Sequence, residues 1–403
     1  MLKWKKAASI SLAMASLLVL GACTAQGAAG PSSAAGPIVI GVATAKTGWM
    51  TPYDRGADMA FKLKIDEVNA AGGIDGRQIK LITGDNQTDP AKSKQVAADL
   101  IAQGANIIVG SCNYDIGSAS GVEAQNAGLL GLTNCAASPR WGVQGIGTYA
   151  YSAATATYAE GAILSEYAKT KGLSKPYLLV DTTLDYDKEL CKGFSEYSTG
   201  QLGGKIAGES QFQNGDTSIP SQISAIQASG ADSIMLCTYN PGGATAVRNI
   251  RAAGVNLPIL SGESMSGTSW LDAVPHLSDF HADVYACLYG DDPDKKVNDF
   301  RDVYKKAYGE EPAIAATSVI TGYVLAEVVI AAIKGAGGKT DGASLAAVMD
   351  KMTDFPSLLS TTYTPKVHIN AARPARILDY KDGKVSCVNQ TFQATKTVDL
   401  HLG

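Results

Sequence analysis

Short apolar runs alternate with helix-patterned segments along most of this chain, and that alternation restricts the fold more than any motif does. Ile38-Val39-Ile40-Gly41-Val42 is apolar without a break, as a strand covered on both faces must be. Residues 56–71 follow with Ala57, Phe61, Ile65 and Val68 at helical spacing, and Gly72-Gly73 marks the helix end. Ile79 to Thr83 predicts the next strand. Asp89-Pro90 then opens a helix, Asp as the cap and Pro where a missing N–H costs nothing. Ile107-Ile108-Val109 and Leu129 to Leu132 continue the series. The pattern restarts near Tyr158, with predicted helices at 158–170, 187–200, 219–228 and 243–253 and strands at 177–180, 205–209, 233–236 and 258–260. A strand at 284–289 leads to helices at 294–308, 313–333 and 345–352. A hairpin turning at Asp382-Gly383 closes the series. Repeated β–α order implies parallel sheets sandwiched by helices, and the length implies two lobes rather than one core. The expected fold class is α/β, with two Rossmann-like lobes.

Lys3, Lys5 and Lys6 precede an apolar run from Ala7 to Leu20, which Leu20-Gly21-Ala22-Cys23 closes. A basic start, a short apolar middle and small residues before a cleavage point make an export signal. The Cys after Leu-Gly-Ala resembles a lipobox. Residues 1–22 are therefore expected to be a lipoprotein signal peptide, with Cys23 as the lipidated residue. The Ala-, Gly- and Ser-rich residues 23–37 are expected to be a flexible tether. The apolar run is short for a span, which needs roughly 20 residues. Losing residues 1–22 removes three Lys and no acid, so the formal charge moves from -4 to -7. An acidic body suits neither nucleic acid nor anionic lipid, so membrane contact is expected only through the anchor.

Apart from Cys23, six Cys remain, an even number for an oxidising compartment. Cys112 and Cys135 follow successive predicted strands at the same end, so a disulfide is expected there. Cys191 with Cys237, and Cys287 with Cys387, are open between bonded pairs and buried thiols. His276, His281, His368 and His401 lack metal-ligand spacing, and neither a G-x-S-x-G elbow nor a phosphate loop occurs. No metal, cofactor or catalytic group is expected. Pro241-Gly242-Gly243 reads as a tight turn or an anion loop, and Asp85, Asp181, Asp185 and Asp187 as helix caps at strand ends.

Ligands of open parallel sheets bind beyond the carboxyl ends of the strands. The segments following each strand supply Trp49 and Tyr53; Asn113, Tyr114 and Asp115; Ala136, Ala137 and Ser138; Tyr186; Tyr239 and Asn240; and Glu263. Aromatic rings, small polar groups and an acid suit a small ligand with an apolar body and charged ends. Ser138-Pro139 and the segment near Ile116 are expected to start helices, whose N-termini favour a carboxylate, and Glu263 is placed to meet an ammonium. Each residue also has a plain structural role open to it: the aromatics as core cover, Asn113 and Ser138 as caps, Glu263 in an internal ion pair.

Several segments together resemble the type I periplasmic-binding-protein fold, and within it the leucine/isoleucine/valine-binding proteins. They are Ile38 to Val42, Asp66-Glu67-Val68-Asn69-Ala70-Ala71-Gly72-Gly73-Ile74-Asp75-Gly76-Arg77, Asp85 with Asp89-Pro90, Ile107 to Gly110, Ile250-Arg251-Ala252-Ala253-Gly254, and Phe300 to Pro312. The resemblance implies two lobes joined by three crossings, residues 38–152 with 288–362 and residues 153–287 with 363–403, closing on a ligand. It implies Ala136, Tyr239 and Glu263 at family ligand positions, with Ser138 standing in for a hydroxyl. Asn113-Tyr114-Asp115 departs from the usual Ser-rich loop, and its acid would repel a carboxylate. The implied function is an extracytoplasmic solute-binding lipoprotein of an ABC importer. It would act as a monomer, with permease and ATPase subunits as partners. Its ligand would be an amino acid or a related carboxylate or amide, aromatic ones included. A sensory receptor module and an exported enzyme are the competing classes.

Overall fold

The computed structural model describes residues 36–402. Cys23 and the leader lie outside them. Strands β1 (Ile38–Thr44), β2 (Ile79–Asp85), β3 (Ile107–Gly110), β4 (Leu130–Thr133) and β5 (Ala150–Ser152) form an all-parallel sheet in the order β2-β1-β3-β4-β5. Helices α1 (Thr51–Ala70), α2 (Pro90–Ala102) and α3 (Tyr114–Asn126) connect its strands. A second sheet holds β6 (Pro176–Asp181), β7 (Gly208–Phe212), β8 (Ser233–Cys237), β9 (Ile259–Ser261), β10 (Phe280–Val284), β11 (Arg376–Lys381) and β12 (Lys384–Cys387). Its order is β12-β11-β10-β9-β8-β6-β7, parallel up to β10 and antiparallel through β11 and β12. Helices α4 (Thr157–Thr170), α5 (Asp185–Leu202), α6 (Pro220–Ser229) and α7 (Gly242–Ala252) belong to this lobe. Helices α8 (Lys295–Tyr308), α9 (Val319–Gly335) and α10 (Gly342–Met349) return to the first lobe, α9 packing along α1 and α10 along α9.

The chain thus passes between the sheets three times: after β5, after β10, and between α10 and β11. The first and third crossings run side by side. Thr155 pairs with Asn370, the Ser152 N–H donates to the His368 carbonyl (2.9 Å), and the Ala156 N–H donates to the Asn370 carbonyl (2.9 Å). Fully buried strands explain the uninterrupted apolar runs: every residue of β3, β4, β6 and β8 is buried. No helix among the described residues is long and apolar enough to cross a membrane.

The structure revises several expected elements. Helix α1 starts at Thr51 rather than residue 56, because Pro52 sits in its first turn, so Tyr53 is helical and not in a loop. Strand β10 covers Phe280–Val284, and the apolar stretch after it is buried connection rather than strand. Strand β7 begins three residues later than the pattern suggests. Residues 139–146 after Ser138-Pro139 form successive turns and no helix. Asp89 caps α2 as expected, accepting from the Lys92 N–H at 3.0 Å. Asp382 (φ 50°) and Gly383 (φ 70°) form the hairpin turn, which needs left-handed backbone at both positions.

Gly322 shows how closely α9 approaches α1, since a Cβ there would overlap the Ala57 carbonyl. Gly322→Ala is therefore expected to lower stability by about 1–3 kcal/mol through forced helix displacement. A urea transition would show this as a lower midpoint with an unchanged slope. An unshifted midpoint would mean that the two helices are not this close.

Candidate functional site

The carboxyl ends of both sheets meet across a seam. Tyr53, from the first turn of α1, donates its hydroxyl to the Ser264 carbonyl (3.2 Å) and accepts from the Asn240 N–H (3.3 Å). Both partners belong to the second lobe. Tyr239 follows β8 and packs edge-on against Tyr53, Tyr186 and Trp49, with ring centroids 5.0, 5.1 and 6.3 Å apart. Tyr53, Tyr186 and Tyr239 are buried, while Trp49 is 41% exposed and closes the outer edge. Glu263, after β9, accepts from Ser266 Oγ (3.2 Å), Thr317 Oγ1 (3.1 Å) and the Ser318 N–H. All three reach the same oxygen, Oε1. Burial pushes the Glu263 carboxyl up to about 7.

A second group lies along the same seam. Ser138 Oγ donates to Glu189 Oε1 (2.9 Å) across the lobes. Arg140 pairs with Asp185, lies 3.5 Å from Glu189, and stacks its guanidinium 4.3 Å from the Tyr114 ring. The Asp185 N–H donates to Asp115 Oδ2 (3.0 Å). Asn113 caps α3 through Oδ1 (3.2 Å to the Ile116 N–H), and its buried Nδ2 has no partner.

The residues chosen from sequence therefore divide. Trp49, Tyr53, Tyr186, Tyr239, Asn240 and Glu263 come together at the aromatic centre. Tyr114, Asp115 and Ser138 join the ionic group around Arg140. Ala137 packs with the central cluster, whereas Ala136 packs with Trp141, Ile146 and Ala150 in a separate small core. Of the four aspartates read as helix caps, none caps a helix. Asp85 and Asp181 tie their own loops to neighbouring ones, Asp85 accepting from Lys46, Thr47 and Gln87 and Asp181 from Thr183, Asn214 and Thr238. Asp185 pairs with Arg140 and Lys188. Asp187, fully buried, has no hydrogen-bond partner at either oxygen.

Sequence reasoning passed over three acids here. Glu160 of α4 accepts from the Tyr186 and Tyr285 hydroxyls, each at 2.7 Å. Asp283 of β10 is fully buried beside it with both oxygens unpartnered, and Glu189 keeps Oε2 unpartnered. Burial pushes Glu160 up to about 8 and Glu189 to about 7. It also raises Asp187 and Asp283 well above the carboxylate range, neighbouring acids adding to the shift in both. A usable signal existed: Glu160 interrupts the small and apolar run Tyr158 to Leu164, and Asp283 sits inside a strand.

All three cysteine pairs are bonded: Cys112–Cys135, Cys191–Cys237 and Cys287–Cys387. The first joins the two first-lobe loops that border the seam, those after β3 and β4. A groove of about 310 Å³ on the first lobe, walled by Glu67, Phe300, Val303, Tyr323 and Leu358, contains none of the candidate residues.

The sequence profile of the periplasmic binding proteins matches residues 37–384. The chain belongs to that family. Its fold is the type I fold of the Leu/Ile/Val-binding kind. A Leu/Ile/Val-binding protein homolog of Brucella melitensis is 20% identical over 355 residues, 88% of this chain and 94% of that one. The branched-chain amino acid binding protein LivJ of Streptococcus pneumoniae, solved with isoleucine, superposes with a TM-score of 0.77 at 24% identity. That match covers 88% of this chain and all of LivJ. A solute-binding protein of R. palustris, solved with 4-hydroxybenzoate, gives 0.77 at 17% identity, covering 89% of this chain and 98% of its own. These neighbours share the fold, and all three are binding proteins.

Proposed function

We propose that this protein is an extracytoplasmic solute-binding lipoprotein of an ABC importer. It captures a small organic molecule between its lobes and presents it, lobes closed, to a permease. The observation that carries this reading is the seam itself: strand tips of both sheets meet around Tyr53, Tyr186 and Tyr239, with buried polar atoms there left unpartnered. Unpartnered buried polar atoms are costly, and a guest that pairs with them returns that cost. Likeness to LivJ and to the R. palustris protein supports a ligand of amino-acid or aromatic-acid size. Lipid on Cys23 would hold the body at the membrane, and the lobes would move as a hinge, with ligand stabilising the closed form.

A thermal-shift screen of amino acids, aromatic acids, amides, amines and polyols tests this directly, since a ligand raises the melting temperature by mass action. At least one class should bind and be recovered chemically unchanged. A bound compound recovered as a product would replace the transport reading with an enzyme. Tyr239→Ala should weaken the compound found by about 2 kcal/mol, because it removes the ring that the other three aromatics touch. Unaltered affinity in that variant would place the ligand somewhere other than the seam.

A further inference from the structure

The seam is rich in acceptors and poor in donors. Its unpartnered buried atoms include both oxygens of Asp187, both of Asp283, Oε2 of Glu189 and Oδ1 of Asn240. Against these stand only Nδ2 of Asn113, a neutral donor, and Nε of Arg140, which makes no hydrogen bond but lies 3.5 Å from Glu189 Oε1. Glu263 gives Oε1 to three donors from its own chain, and Oε2 takes none of them. The cations nearby are already committed. Arg140 and Lys188 hold Asp185, with Arg140 also beside Glu189. Arg373, on the far side of the Tyr285 ring, donates to Ser360, Ala153 and Thr361. A carboxylate guest would find one amide donor and one guanidinium N–H whose charge already faces Asp185 and Glu189, among several buried acids. The helix start that might have received it at Ser138 is not there, and the first turn of α3 carries Asp115.

We infer that the ligand is a small organic cation: an ammonium on an apolar or aromatic body, carrying no carboxylate. Asp187 and the unpartnered acceptors beside it receive the N–H donors, and the tyrosine and tryptophan rings cover the charge and the body. Aromatic faces attract cations most strongly where water is excluded, as in this seam. A buried carboxylate is tolerable only when a positive partner arrives, and here the guest is that partner. The inference rests on the binding reading above and narrows its ligand.

The test uses the full-length protein and two matched sets: phenethylamine, phenylalanine and 3-phenylpropionate; and isopentylamine, leucine and 4-methylpentanoate. Calorimetry at neutral pH should show at least one amine binding about tenfold or more tighter than the amino acid and the acid of its own set. Asp187→Asn should reduce that amine's affinity by about tenfold or more, while leaving the melting temperature of the free protein the same or higher, because it replaces a buried acid that has no partner with an amide that cannot ionise. An amino acid or acid that equals or exceeds its amine overturns the inference and leaves the binding reading standing. So does full amine affinity in Asp187→Asn. Silence from all six compounds also overturns it. The binding reading then survives if the wider screen finds a neutral or anionic ligand, and falls with it if that screen is silent too.

Discussion

Raising the pH from about 6.5 to about 8 is expected to cost the ligand-free protein about 3–4 kcal/mol of stability. Burial lifts Asp54, Glu189 and Glu263 to about 7 and Glu160 to about 8, while an unfolded chain releases these protons near pH 4. The folded form therefore holds more protons than the unfolded form throughout this window. Stability is then greatest at acid pH and is lost as pH rises through the folded values. Asp187 and Asp283, both pushed well above the carboxylate range by burial, act in the same direction. His281 and His368 act the other way, since burial lowers both, but their contribution ends near the ordinary histidine value, below most of this window. Denaturant unfolding at the two pH values, with disulfides intact, measures the difference. Asp54 is held within the first lobe by Ala45, Ser111 and Cys112, so a slope much shallower than this would mean that the seam acids Glu160, Glu189 and Glu263 are hydrated in the free protein, and hence that its lobes stand apart until ligand arrives. A bound organic cation should flatten the slope, and its affinity should itself increase with pH, because Asp187 and Glu189, both raised by burial, must be ionised to receive it.

Much of the fold was legible for one physical reason. Strands covered on both faces must be apolar throughout, so β1, β3, β6 and β8 stand out as short greasy runs. Strand β10 was displaced in the reading because it carries His281 and Asp283, both buried, while Val284 to Leu288 after it looks more like a strand than it is. The segment after Ser138 has a helix-start signature, but Gly142, Gly145 and Gly147 and the buried Trp141 turn it into a wrapped loop. The rims of the site were visible as aromatic loops after strands. Beyond Asp115 and Glu263 the acids were not, since sequence rules place Asp and Glu on surfaces or at helix caps. Glu160, Asp187 and Asp283 are buried by contacts between elements far apart in sequence, which no local pattern records.

Arg373 extends this argument from the ligand to the joint between the lobes. It is 6% exposed, and burial lowers it to about 10, yet it donates to no carboxylate. Its Nη1 donates to the Ala153 carbonyl (2.7 Å) in the first crossing. Its Nε donates to the Ser360 carbonyl (3.0 Å) and its Nη2 to Thr361 Oγ1 (3.2 Å), both in the third crossing, to which Arg373 itself belongs. The guanidinium also lies 6.0 Å from the ring of Tyr285, which belongs to the second crossing. One side chain thereby ties all three connections together, and Tyr285 links it onward to Glu160 at the seam (2.7 Å). Arg373→Met keeps most of the apolar stem but strands two buried acceptors, the Ala153 carbonyl and Thr361 Oγ1, and a third on the exposed Ser360. It should cost about 3 kcal/mol or more, since hydrogen bonds from a charged donor are worth about 1.5–3 kcal/mol each and partly overlap. Arg373→Lys should recover little of that, because one ammonium cannot span acceptors arranged for a planar fork. Guanidinium chloride would itself mimic the missing group, so urea is the denaturant to use. A loss below about 1 kcal/mol in Arg373→Met would show water replacing the side chain at all three acceptors, leaving the crossings to be held by the paired Thr155 and Asn370 strands alone.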